Sequence, residues 1–105
     1  MRLSDWAKRS MQGRPTEATI TRKVIRAMKD AGRPITVVFD GYERVRVDGE
    51  HAILNEVFNL DEAYLITEDG SWIRLVMDND YEIVCDYTVN LEDILQPIND
   101  WCDQR

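Results

Sequence analysis

Two cysteines, one histidine, three prolines and five glycines are all that the 105-residue chain holds of these types. Two cysteines are too few to staple so small a domain with a disulfide framework. With His51 as the lone histidine they also fall short of a structural zinc set, which takes four Cys or His ligands. The glycines stand singly as turn formers, so no glycine-rich loop is present to cradle a phosphate. No apolar run reaches the roughly 18–20 residues of a membrane span. Arg2, Ser4 and Asp5 leave no apolar stretch at the start to serve as a secretory signal, so the expected location is cytoplasmic, with no membrane partner.

Apolar residues make up 44% of the chain, too many for a disordered polymer, and the length suits one domain over residues 1–105. Thirteen Lys and Arg against twenty Asp and Glu give a net charge of −7. That charge divides along the chain. Residues 1–35 carry nine basic side chains and three acids, a net of +6. Residues 36–105 carry four basic side chains and seventeen acids, a net of −13. A basic helical segment over 1–34 thus precedes an acidic sheet and helix segment over 35–105. The two serve separate partners, or pair with each other within one molecule or across a homodimer.

Ser4 caps a short helix that ends at Gly13, with Trp6 and Ala7 on its apolar side. Thr16 is placed to cap a longer helix, with Glu17 in the first turn against the positive end of the dipole. Ile20, Val24, Ala27, Met28 and Ala31 recur at helical spacing as a buried stripe, and Gly32 stops the helix. From Ile35 the period turns to alternation, and Asp40-Gly41 marks a hairpin into Val45 and Val47. A short helix is expected over His51–Asn59. Strands follow at Ala63–Thr67, Trp72–Met77 and Tyr81–Val89, the last with Ile83, Cys85, Tyr87 and Val89 on one face. Asn90 and Asp93 are placed to cap a final helix, which Pro97 should kink or divide. The expected fold is α+β in the order α-α-β-β-α-β-β-β-α: a helical pair, then a five-stranded, mainly antiparallel sheet with a short inserted helix and a C-terminal helix packed on the sheet.

Catalytic parts are scarce. A nucleophilic triad needs His51 beside a Ser or Cys, yet Cys85 and Cys102 both fall on apolar stripes where cysteine packs. Asp78-Asn79-Asp80-Tyr81-Glu82 has the oxygen spacing that opens a calcium loop, but Ile83 and Val89 occupy the positions that require glycine and glutamate. A polar hairpin turn accounts for it better than a Mg²⁺ or Ca²⁺ contact through Asp78 and Asp80. The expectation is a non-enzymatic protein without metal or cofactor.

Two binding roles remain. Carboxylates gather at turns and strand ends, and with nearby aromatics they mark a surface for a protein partner of basic charge: Tyr42, Glu43, Glu68, Asp69, Trp72, Asp78, Asp80 and Tyr81. Small acidic inhibitors of phage or mobile-element type, which occupy nucleic-acid channels, share this charge and size. The alternative uses the basic helix 17–31. Leu3–Arg9 followed by Thr16–Gly32 resembles the helix-turn-recognition-helix of DeoR-like winged-helix repressors, with the Asp40-Gly41 hairpin as wing. The resemblance covers less than half the chain. It implies nucleic-acid contacts by Thr19, Thr21, Arg22, Lys23, Arg26 and Lys29.

Overall fold

The computed structural model describes residues 2–105. Helix α1 spans Asp5–Gly13, and the Ser4 hydroxyl accepts the Ala7 N–H at 3.0 Å as its cap. Ala7 and Met11 face the core, whereas Trp6, expected beside Ala7, is 58% exposed under the Arg9 guanidinium. Helix α2 spans Pro15–Asp30. Its N-cap is Arg14, not Thr16, because Pro15 is suited to the first helical position, where no N–H is needed. Ile20, Val24 and Met28 are buried as the stripe foretold, but Ala27 is half-buried and Ala31 is exposed beyond the helix end. Glu17, Thr21 and Ile25 widen the buried face, since α2 packs against three other helices as well as the sheet. Gly32, at φ 74°, closes the helix: its own N–H reaches Lys29 and that of Arg33 reaches the Met28 carbonyl.

Strands β1 (Ile35–Phe39) and β2 (Arg44–Arg46) form the expected hairpin. Helix α3 (Glu50–Val57) then carries the chain to β3 (Glu62–Thr67), followed by β4 (Trp72–Val76), β5 (Val84–Tyr87) and α4 (Glu92–Asp103). The element order matches the sequence reading, and the sheet order is β2-β1-β3-β4-β5 with every neighbour antiparallel. Val38, Leu65, Ile73 and Leu75 point from the sheet into one core with Ile20, Met28, Leu54, Phe58 and Leu95 from the helices.

The last strand departs from simple alternation. Arg74 pairs with Asp86 but Leu75 pairs with Val84, so Cys85 is an extra residue in a β-bulge. The inserted residue breaks the shared face expected for Ile83, Cys85, Tyr87 and Val89. Ile83 is buried, Cys85 is exposed and Val89 is 86% exposed. The strand is also shorter than expected, because Asp80–Glu82 forms a 3₁₀ turn. Asn90 does not cap α4; it lies in a second 3₁₀ turn, Val89–Leu91, and donates to the Ser71 hydroxyl at 2.8 Å. Helix α4 runs unbroken through Pro97. Pro97 and Asp93 are both exposed, so the carbonyl that loses its amide partner faces water. This helix packs chiefly against α2 and the two 3₁₀ turns flanking β5.

Candidate interaction surfaces

The basic stripe of α2 finds carboxylates within the molecule. Glu50, at the start of α3, receives Arg26 Nε at 2.9 Å and lies 3.8 Å from Arg22 Nε. Hydrogen bonding and charge from Glu50 raise the Arg26 pKa above its ordinary value. Arg33 bonds Asp69 at 2.7 Å, Arg14 bonds Asp78 at 3.2 Å, and Arg46 pairs with Glu68. Lys23 sits 4.6 Å from the centre of the Trp101 ring. Thr21 is fully buried with its hydroxyl on the Glu17 carbonyl, and so is turned away from any duplex. Thr19 and Lys29 are exposed.

Internal pairing redraws the charge map. Residues 1–79 hold twelve basic and thirteen acidic side chains, a net of −1; residues 80–105 hold seven carboxylates and one arginine, a net of −6. Nearly all the excess charge therefore belongs to β5, α4 and their turns. Between these two elements runs a groove of about 580 Å³, lined by Glu82, Asp86, Glu92 and Asp103 among others and by no basic residue. Beyond its end Arg105 and Lys23 cover the Trp101 ring, against which Tyr81 packs at 6.0 Å.

Hydrogen bonds hold the groove walls. The Tyr87 hydroxyl donates to Glu92 Oε2 at 2.7 Å and accepts from Asn99 Nδ2 at 3.0 Å. The bond to Glu92, then burial, raises the Tyr87 pKa above its ordinary value. Asp86 accepts the Tyr87 N–H at 2.9 Å, which satisfies a donor on this outer strand. Burial pushes the Cys102 thiol pKa upward.

The eight residues expected to meet a protein are not one patch. Tyr42 and Glu43 form the β1–β2 turn, 93% exposed at Tyr42, and Asp78, Asp80 and Tyr81 lie at that same end of the sheet. Glu68 and Asp69 occupy the β3–β4 turn at the opposite end, and Trp72 lies half-buried on the sheet. Asp69 is tied down by Thr67, by the Ser71 N–H and by Arg33, which hold its carboxyl well below the usual range. Only Tyr81 of the eight borders the acidic groove. Glu82, Asp86, Tyr87, Glu92 and Asp103 line the groove and stand outside those eight; counting charge from residue 80 onward points to its four carboxylates.

Among the described residues no group of three or more His, Cys, Asp or Glu gathers as a metal set. No helix there is long and apolar enough to cross a membrane. Comparison with protein-family models, curated proteins and solved structures found no match.

Proposed function

We propose that this is a non-catalytic binding protein whose partner is a protein rich in exposed Lys and Arg, received at the β5–α4 face. One observation carries the reading: the net charge of the molecule is concentrated around a groove whose charged walls are all carboxylates. Such a surface steers a basic partner into encounter and suppresses acidic ones. Tyr81 and Tyr87 supply amphipathic contact beside the charges, the composition of an interface centre. A partner that uses its basic surface to hold nucleic acid would lose access to it, which is the action of an inhibitor.

A short Lys/Arg-rich peptide and its Glu-substituted counterpart, followed by fluorescence anisotropy, test the reading. The basic peptide should bind the wild type and weaken steeply between about 50 mM and about 300 mM salt. Glu82→Gln, Glu92→Gln and Asp103→Asn combined should weaken it about tenfold or more, while Glu43→Gln with Glu68→Gln should change little. Absence of binding at low salt overturns the proposal. So does tight duplex DNA binding that is lost on replacing Arg22 and Arg26.

A further inference from the structure

The outward face of the sheet is a second surface, which shares Asp86 with the acidic groove. Directly paired residues of antiparallel strands share a face. Val37 pairs with Ile66 and Ile66 with Trp72; Phe39 pairs with Tyr64; Glu62 pairs with Val76. Val37, Phe39, Tyr64, Ile66, Trp72 and Val76 therefore stand together on the side away from the core, each only half-buried. Their rings run in contact, Phe39 to Tyr64 at 5.9 Å and Tyr64 to Trp72 at 5.6 Å. A continuous aromatic and aliphatic centre of this kind on a soluble face marks a contact site.

The charges around that centre are ordered. On the β2 edge Arg46 pairs across from Val37 and Arg44 from Phe39, with the Arg44 guanidinium 5.5 Å from the Phe39 ring. On the β5 edge Asp86 pairs across from Arg74, which is itself bonded to Glu62 at 2.8 Å. The β2 edge carries Arg44 and Arg46, the latter also paired with Glu68, whereas the β5 edge carries Asp86. Arg44, Arg46 and Arg74 balance Glu62, Glu68 and Asp86, so the face is neutral on a chain of net charge −7.

We propose that this face docks a second copy of the chain, sheet against sheet, about a twofold axis parallel to the strands. Rotation about that axis lays the β2 edge of each copy over the β5 edge of the other. Arg44 and Arg46 then meet the Asp86 edge twice, and the apolar centre meets itself, as an isologous interface requires. Aligned sheets pack about 10 Å apart with interdigitated side chains, a spacing these rings can fill. A neutral face is also where two chains of the same net charge meet with least repulsion. A single nucleic-acid strand could stack on the same rings, but Glu62, Glu68, Asp86 and the net charge oppose a polyanion.

Sedimentation equilibrium of the full chain tests the dimer. The wild type should reach twice the 12.3 kDa chain mass. Arg44→Glu with Arg46→Glu makes both edges anionic, and Asp86→Lys makes both cationic, so each variant alone should dimerise about tenfold more weakly or worse. An equimolar mixture should recover the affinity as a heterodimer, because every edge then meets its opposite. All three positions are exposed, so the variants should fold, which circular dichroism checks. The combined Glu82, Glu92 and Asp103 replacement should leave the dimer intact. A wild type that stays monomeric, a dimer indifferent to these charges, or a mixture no tighter than its components overturns the proposal. Binding of a single-stranded oligonucleotide by a monomer through Trp72 overturns it as well.

Discussion

The Glu17 carboxylate accepts the backbone N–H of Asp78 at 2.7 Å, a bond between residues 61 apart in the chain. Glu17 is 4% exposed on α2, and Asp78 sits at φ 67° in the turn that follows β4. Arg14 completes the clasp from the α1–α2 junction. The turn that opens the acidic face is thus anchored to the basic helices rather than to the sheet alone.

Glu17→Ala should destabilise the fold by about 2 kcal/mol, since a buried bond to a carboxylate is lost and the Asp78 N–H is left without its partner. Glu17→Gln keeps an acceptor oxygen and should cost about half as much or less. Urea unfolding of the two variants against wild type measures the difference.

The bulge at Cys85 predicts unequal thiols. Cys85 is exposed and should react with a thiol reagent in the native state; Cys102 is buried with its pKa raised and should not. One thiol per chain should titrate in buffer and two in denaturant. Cys85→Ser should abolish the native reaction.

The depressed Asp69 pKa carries a pH signature. Its folded value lies below its unfolded value, so its contribution is present above the unfolded pKa and is lost as pH falls through the folded one. Asp69→Asn should lower the urea midpoint at neutral pH and flatten the loss of stability between about pH 5 and about pH 2. The Asp40 carboxyl is held down by the Glu43 and Tyr42 N–H groups and acts in the same direction.

Glu50 holds two arginines of α2, which gives a direct test of the nucleic-acid alternative. Glu50→Ala should uncover Arg22 and Arg26 and increase retention on duplex DNA at low salt relative to wild type. The increase should vanish near physiological salt, as a purely electrostatic contact does. Retention that survives there would point to a real duplex site on α2.

Local chemistry made much of the fold legible. The Gly32 stop, the Ser4 cap, the Asp40-Gly41 turn and, of the α2 stripe, Ile20, Val24 and Met28 each depend on residues within a few positions of one another, and these stand in the structure. Trp6, Thr16 and Asn90 were misread where a competing partner decided the outcome. Pro15 took the helix start, and Ser71, nineteen residues away, took the Asn90 amide. Periodicity could not foresee Cys85 facing outward, because a bulge is a property of the pairing between two strands.

The sequence by itself determined the order of elements, the apolar stripes and the sum of charges, since these follow from residue spacing and composition. Only the tertiary structure decided which charges neutralise each other. A hydrogen-bonded ion pair needs contact at about 3 Å, and the fold brings Arg26 to Glu50, Arg33 to Asp69 and Arg14 to Asp78 across 24 to 64 residues of chain. After that pairing Arg14, Arg22, Arg26 and Arg33 of the basic half are matched by carboxylates, and residues 80–105 carry a net of −6. The neutral aromatic face of the sheet likewise exists only once β1, β3 and β4 are laid side by side.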